Sequence, residues 1–283
     1  MRAEARTRVE AASGLRIAHS RPLSGGCIGE VYALTMSSGP DLVAKVGGPG
    51  SGLALEGRML DHLRQAGAPA PEVLAADDHL LLMTLLPSGD ALGPKVQDHA
   101  AHVIAALHDQ VGPAFGFDYD TVIGGLHQPN PQTDGWIAFF RDHRLLYMAH
   151  EAARARRLPP AVLGRLESLA ERLDDYLEEP AHPSLLHGDL WTGNVLAHQG
   201  RLSGLIDPAI YWGHPEIELA FSTLFGTFND VFFNRYHELR PIRPGFFEER
   251  RDLYNLYPLL VHVRLFGAGY LGGIERTLRR MGF

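Results

Sequence analysis

Hydrophobic and polar positions follow two different patterns along this chain. In the first third, the apolar runs at 16–23, 31–36 and 42–46 are short and are separated by a glycine-rich segment and a Ser-Ser-Gly-Pro turn. Such runs predict paired strands. The other elements predicted in this part are a helix from Leu53 to Ala66 and strands near 72–76 and 80–86.

From about residue 93 onward the apolar positions recur mostly with helical spacing. The predicted helices cover 95–109, 136–157, 160–179, 216–239 and 246–271, with an irregular stretch at 110–135 and a strand-like block at 195–207. Strands first and helices afterwards indicate an α+β protein. We expect a small β-rich N-terminal lobe over 1–86 and a larger helical C-terminal lobe over 87–283.

Composition narrows the classes of protein that this chain can represent. It has 283 residues, 45% of them hydrophobic, and 26 basic against 33 acidic residues give a net charge of −7. This charge argues against binding to nucleic acid. No apolar run approaches the roughly 18 residues of a membrane span. The charged first 14 residues do not resemble a secretory signal, and the single cysteine, Cys27, cannot form an internal disulfide, so a cytoplasmic protein is expected.

The strongest chemical signal lies between residues 185 and 207. Asp189 and Asn194 have the spacing of the catalytic loop of protein kinases, and Asp207 ends an apolar run 13 residues after Asn194. Phosphoryl transfer needs one carboxylate that orients the attacking hydroxyl. It also needs an amide oxygen and a second carboxylate that hold Mg²⁺. The three residues therefore predict a phosphotransferase.

Three further parts of such an enzyme occur in the expected order. Residues 24–31 resemble a glycine-rich phosphate loop in which Ser24 replaces the first glycine, and Lys45 ends the next strand. In the helix predicted at 53–66, Glu56 falls on the apolar face. Because a buried carboxylate needs a cationic partner, we expect Glu56 to pair with Lys45.

Together these parts resemble the protein-kinase-like superfamily of aminoglycoside phosphotransferases and choline kinases, and more closely the fructosamine (ketosamine) kinase family. Four stretches carry the resemblance: GGCIGEVY at 25–32, DGWIAFFRDHRL at 134–145, LLHGDLWTGNV at 185–195 and IDPAIYWGHPEIELAFSTLFG at 206–226. The resemblance implies a bilobal kinase-like fold. It also implies ATP-dependent phosphorylation of the sugar of a ketosamine, usually at its 3-hydroxyl, which leads to deglycation of proteins or free amines.

The resemblance also assigns roles to individual residues. Asp189 is the expected base, Asn194 and Asp207 are the expected Mg²⁺ ligands, and Lys45, held by Glu56, is expected to bind the ATP phosphates. The expected nucleotide-binding residues are Gly25, Gly26, Cys27, Ile28, Gly29, Val31, Lys45, Met83, Thr84 and Leu85, the last three from a linker over 82–86 that meets adenine. Glu218 is expected to brace the catalytic loop. Ser24 and Thr84 depart from the family pattern without removing a chemical part.

Three residues are candidates for binding the acceptor, each with a structural alternative. Trp191 follows the catalytic motif and either stacks on the sugar or packs in the interior. Glu216 either pairs with the cationic amine of a ketosamine or stabilises a helix N-terminus. Trp136 has helical spacing with Phe139 and Phe140, which is more typical of a core than of a binding surface.

Two other functions remain open. The chain could phosphorylate another small alcohol, of the aminoglycoside or choline type, although the tryptophan of the HGDLW motif favours a ketosamine. It could also be a catalytically silent nucleotide-binding protein, although Lys45, Asp189, Asn194 and Asp207 are all intact. The sequence leaves open which ketosamine is used, whether it is free or protein-bound, whether Cys27 is redox-active, and the oligomeric state.

Overall fold

The structure is a computed structural model that describes residues 1–23 and 29–283. Its N-terminal part is a five-stranded antiparallel sheet with the order β1-β2-β3-β5-β4. The elements are helix α1 (Ala3–Ser13), strands β1 (Ile17–Pro22), β2 (Glu30–Met36) and β3 (Leu42–Val46), helix α2 (Leu53–Gln65), and strands β4 (Val73–Ala76) and β5 (Leu80–Thr84).

The sheet lies between two helices because alternate strand residues point to opposite faces. On one face, Val43 and its neighbours pack with Leu60 and Leu63 of α2 in the main apolar core. On the other face, Leu42 and Ala44 pack in a second cluster that includes Val9 of α1. Helix α1 has no counterpart among the predicted elements, because only Ala5 and Val9 of its 11 residues are buried and it shows little apolar periodicity.

The C-terminal part is mainly helical, with three small strand pairs. Its helices are α3 (Pro94–His108), α4 (Trp136–Phe140), α5 (Leu146–Arg154), α6 (Pro160–Ala170), α7 (Pro215–Leu224), α8 (Asp230–Leu239), α9 (Arg251–Tyr254), α10 (Leu256–Phe266) and α11 (Leu271–Arg280). The strand pairs are β6 (Thr121–Ile123) with β7 (Leu126–Gln128), β8 (Ser184–Leu186) with β11 (Tyr211–Gly213), and β9 (Val195–His198) with β10 (Arg201–Leu205).

The predicted α+β architecture is confirmed, and the differences concern interruptions within it. The helix expected over 136–157 contains a π-helical turn at Arg141–Leu145. The helix expected over 216–239 is two helices, α7 and α8, and α8 begins at a new N-cap, where the Asn229 side chain accepts from the amide of Val231. Within the described ranges, no helix combines the length and the hydropathy that crossing a membrane requires.

Candidate active site

A cleft of about 990 Å³ lies between the sheet and the helical part and is lined by residues of both. From the N-terminal part it receives Val31 and Lys45 of the sheet, Glu56 of α2, and the segment 83–86. From the helical part it receives Asp189, Trp191, Asn194 and Asp207. Residues more than a hundred positions apart in the chain therefore share one concave site, which is the usual setting of an active centre.

Lys45 is the charged centre on the sheet side of this cleft. Its Nζ donates to Glu56 Oε1 at 2.6 Å and also contacts Asp207 Oδ1. Burial alone would lower the pKa of Lys45, but the two carboxylates outweigh burial and raise it. Burial raises the pKa of Glu56 to about 7, with a further contribution from the Asp207 carboxylate and against the attraction of Lys45. One cation thus serves two carboxylates.

The catalytic loop follows β8 through a turn that requires glycine. Gly188 has φ +83°, and a Cβ at this position would lie 2.0 Å from the carbonyl oxygen of Ala209. The neighbouring His187 ties the same two segments together, because its carbonyl accepts from the amide of Ala209 at 2.8 Å. The loop that carries Asp189 is thereby fixed against the segment that carries Asp207.

Glu218 of α7 braces this loop from behind, as predicted. Its Oε1 accepts from the Gly188 amide at 2.6 Å, and its Oε2 accepts from the His187 amide at 3.2 Å. His108 of α3 lies 2.9 Å from the same Oε2 through Nε2. Burial by itself would raise the pKa of Glu218, but these hydrogen bonds and charges lower it.

Asp189, Asn194 and Asp207 meet at the floor of the cleft. The Asn194 amide donates to the Asp189 backbone oxygen and to Asp189 Oδ2, each at 2.9 Å. Burial, reinforced by the Asp207 carboxylate, raises the pKa of Asp189 to about 7. A base with a pKa near the working pH is well suited to proton transfer. Asp207 has φ +51°, a left-handed conformation that is uncommon outside glycine and recurs at functional sites.

The oxygens at this floor suit a magnesium ion. Mg²⁺ is usually held by one or two carboxylates together with substrate phosphates, and Asp207 with the amide oxygen of Asn194 supplies donors of that kind. Across residues 1–23 and 29–283, no group of three or more His, Cys, Asp or Glu side chains forms a metal cage. The donor set therefore fits an ion that completes its coordination with substrate oxygens.

The structure describes some of the residues that are predicted to bind the nucleotide. Val31, Lys45, Met83, Thr84 and Leu85 all line the cleft. Gly29 has φ +80°, and a Cβ there would lie 2.5 Å from the carbonyl oxygen of Val46, so the chain needs glycine at this position. The other predicted members of the loop lie outside the described residues: Gly25, Gly26, Cys27 and Ile28.

Of the three predicted acceptor residues, the structure brings only Trp191 to the cleft, where its side chain is 39% exposed. Trp136 is fully buried, and its Nε1 donates to the hydroxyl of Tyr254 at 2.9 Å. Both carboxylate oxygens of Glu216 accept from Arg250 at 2.7 Å. Neither side chain lines the cleft, so the acceptor-binding alternative is wrong for both. Trp136 is a core residue, as its helical spacing favoured, and Glu216 lies in the first turn of α7 in a buried ion pair.

Several cleft residues were not anticipated from the sequence. They come from the end of α7 and from α10 and the turn after it: Phe225, His262, Leu265, Phe266 and Tyr270. In the sequence they belong to stretches with the spacing of core helices. Phe225 is 37 positions before His262, the nearest of the other four in the chain. The only local signal is Gly267, which ends α10.

The sheet, the Lys45–Glu56 pair, the loop that carries Asp189 and Asn194, and Asp207 after β10 define a kinase-like phosphotransferase with a bilobal fold. A family model described as fructosamine kinase matches residues 2–282. The chain belongs to the fructosamine kinase family, whose members transfer a phosphoryl group to a sugar hydroxyl.

Individual relatives agree with this assignment. A rice protein named protein-ribulosamine 3-kinase is 33% identical over 258 residues, which cover 88% of this chain and 74% of that protein. A Synechocystis protein named as a probable ketoamine kinase is 42% identical over 180 residues, and the match spans 62% of this chain and 59% of that protein. A crystal structure from Thermobifida fusca, provisionally named a fructosamine-3-kinase, superposes with a TM-score of 0.89, at 32% identity over 97% of this chain and 96% of the other. The prediction of a ketosamine-kinase-type phosphotransferase is thereby confirmed.

Proposed function

We propose that this enzyme uses MgATP to phosphorylate the 3-hydroxyl of the sugar of a ketosamine. The observation that carries the proposal is the joint placement of Asp189, Asn194, Asp207 and Lys45 in one cleft. The 3-position is supported by the name of the rice relative. Because the 3-phosphate makes a ketosamine labile, the outcome would be removal of the sugar from a glycated amine or protein.

The chain's own residues divide the chemistry between them. Lys45, oriented by Glu56, would bind the phosphates of ATP next to the backbone of 83–85. Asn194 and Asp207 would hold Mg²⁺, which neutralises charge on the phosphate oxygens when it is bound. Asp189 would orient the attacking hydroxyl and accept its proton as the new P–O bond forms and the bond to ADP breaks. Trp191, on the same loop, would contact the sugar.

We also propose that the reaction takes place in the cytoplasm. The phosphoryl donor proposed here is ATP, and the sequence has one cysteine, which suits a reducing compartment. The acceptor would be a free ketosamine or a glycated protein; the name of the rice relative specifies a protein-bound ribulosamine, and that of the Synechocystis relative specifies a ketoamine without saying whether it is free.

The first experiment is a coupled ADP-release assay with MgATP. Fructoselysine and ribuloselysine would be compared with an aminoglycoside, with choline and with no acceptor. Stimulation by ketosamines alone, with phosphorus NMR placing the phosphate at the 3-position, is the expected result. Stimulation only by another alcohol would retain the kinase chemistry and refute the acceptor. Tight ATP binding without turnover of any acceptor would indicate a silent nucleotide-binding protein.

The assignment of the base is tested by Asp189→Ala. We expect turnover to be lost, because no other carboxylate of the catalytic loop is placed to receive the hydroxyl proton, while ATP affinity measured by calorimetry stays within a few-fold. An Asp189→Ala enzyme with the wild-type rate would show that another group is the base.

A further inference from the structure

The cleft has an aromatic surface that belongs to the helical part, whereas Lys45 belongs to the sheet. We call it the aromatic wall and define it as Phe225, His262, Phe266 and Tyr270. The His262 ring centroid lies 4.9 Å from that of Phe225, 5.6 Å from that of Phe266 and 4.8 Å from that of Tyr270. All four side chains line the same cleft as Asp189, so the wall is continuous with the catalytic site.

The wall is exposed although it is apolar. Phe266 is 58% exposed and Phe225 is 39% exposed, and Trp191 lies next to Phe225 with a centroid distance of 6.1 Å. Rings that face solvent together beside a catalytic group, rather than singly, are typical of a binding surface. Their exposure leaves room for an apolar group of a bound molecule.

The backbone holds the wall in place. Gly267 has φ 91° and ψ −157°, a conformation that is essentially restricted to glycine, and it turns the chain between Phe266 and Tyr270. The carbonyl of Leu265, one residue before Phe266, accepts from Arg157 Nη1 at 2.7 Å. Arg157 itself is not among the residues that line the cleft.

The wall carries no charge. His262 Nδ1 lies 2.7 Å from the carbonyl of Pro258, which can only accept, so Nδ1 carries a hydrogen. Burial also lowers the pKa of His262. The lysine and arginine side chains that line the described cleft are Lys45 and Arg21, and both belong to the sheet.

The acceptor's own chemistry identifies what this surface contacts. A ketosamine has a sugar, which must reach Asp189, and a substituent on nitrogen that comes from the parent amine. With the sugar beside Asp189 and Trp191, the substituent has the wall within reach, because the ring centroid of Phe225 lies 6.1 Å from that of Trp191. Among the described residues that line the cleft, a carboxylate next to the nitrogen would find no lysine or arginine at the wall, whereas an alkyl chain would bury apolar surface against the rings.

Resting on the function proposed above, we propose that the aromatic wall is the binding site for the nitrogen substituent of the acceptor. The wall selects ketosamines of aliphatic or aromatic amines, such as a lysine side chain, over those formed at the α-amino group of a free amino acid. Phe266 is the main specificity-determining residue, because it is the most exposed ring of the wall.

The test uses three fructosamines that share one sugar and differ only at nitrogen: N-methyl, N-hexyl and N-carboxymethyl. Each buried methylene is worth about fourfold in binding, so kcat/KM for the hexyl acceptor should exceed that for the methyl acceptor about 10-fold or more. The carboxymethyl acceptor should be no better than the methyl one. These ratios are the readout, and they do not depend on the absolute rate.

Two substitutions at Phe266 should move the ratios in defined directions. Phe266→Asn should lower the hexyl-to-methyl ratio at least about threefold, because it removes apolar surface. Phe266→Arg should raise the carboxymethyl-to-methyl ratio by a similar factor, because it supplies the missing cation. The matched control is Phe247→Asn, a phenylalanine that is 40% exposed and outside the cleft, which should leave both ratios unchanged.

The outcomes separate this inference from the proposed function. If wild-type enzyme phosphorylates all three acceptors equally, or if Phe266→Asn leaves the hexyl preference intact, the wall does not bind the substituent although the kinase function stands. If Phe266→Asn impairs only a glycated protein and not the small acceptors, the wall is a protein-docking surface and the inference is wrong. If no fructosamine is phosphorylated, both proposals fail together.

Discussion

Glu56 and Glu218 are both buried carboxylates beside the catalytic segment, but they are held in different ways. Glu56 depends on a single cation, Lys45, which it shares with Asp207. Glu218 accepts hydrogen bonds from two backbone amides and a histidine, all within the helical part. Accordingly, the pKa of Glu56 is raised to about 7, mainly by burial, whereas that of Glu218 is lowered.

Glu218 is therefore a fixed support of its loop, whereas the site formed by Glu56, Lys45 and Asp207 depends on a ligand. Glu218 has its donors whether or not a substrate is present, so its loop is placed in advance. Around Lys45, one positive charge faces two carboxylates, which leaves an excess negative charge that a bound cation would offset. The helical part therefore holds the loop of Asp189 in place before a ligand binds. Around Lys45, by contrast, the charges are balanced only when a cation binds.

Removing the fixed support should have the largest effect. We expect Glu218→Ala to lower the free energy of unfolding by about 3–5 kcal/mol, because two buried amides and His108 lose their acceptor. Activity should fall together with stability, and urea denaturation followed by tryptophan fluorescence would measure the change. A stable but inactive Glu218→Ala would show that Glu218 acts in the chemistry rather than in support of the loop.

Removing the charge of Glu56, at the ligand-dependent site, should lower the rate of catalysis more than the stability. Glu56→Gln keeps the shape and a carbonyl oxygen for Lys45, so we expect unfolding to change by only about 1 kcal/mol. The charge that orients Lys45 is lost, and kcat/KM for ATP should fall about 10- to 100-fold. Steady-state kinetics with ATP varied would show this, with Glu4→Gln, whose side chain is 84% exposed and outside the cleft, as the control.

A fall in pH should reduce stability by a smaller amount, through a histidine at the start of α7, the helix that carries Glu218. His214 is the N-cap of α7, where its Nδ1 accepts from the Glu216 amide at 3.0 Å. Burial, together with nearby arginines, lowers the pKa of His214 to about 3. Because the unfolded chain has the ordinary value of about 6.5, it takes up the proton first, and stability present above that pH is lost as the pH falls towards 3.

When the pH falls from 7.5 to 5, protonation of this histidine in the unfolded chain should lower the free energy of unfolding of the wild type by about 2 kcal/mol. His214→Asn keeps a capping acceptor but removes the titration, so its melting temperature should fall by several degrees less over the same interval. Differential scanning calorimetry would compare it with His19→Asn at an exposed position. Equal pH dependence in all three proteins would show that the titration lies elsewhere.

Much of the fold and of the chemistry could be predicted because it is encoded locally. Asp189 and Asn194 lie on one short loop, and Asp207 follows the end of a nearby strand. Their spacing alone therefore indicates that the three polar side chains lie close together. The helical period of α2 placed Glu56 inward, opposite the strand that carries Lys45. The strands of the sheet and their turns likewise follow from short apolar runs.

The sequence by itself determined the class of fold and predicted which residues would handle phosphate, because these depend on spacing within one segment. Only the tertiary structure decided which other side chains line the cleft. Trp136 and Glu216 have the composition of binding residues, but long-range contacts with Tyr254 and Arg250 hold them elsewhere. Phe225 and His262 look like core residues, but the tertiary structure brings their rings to a centroid distance of 4.9 Å at the cleft. Contacts between distant segments depend on how whole elements pack, and no local period carries that information.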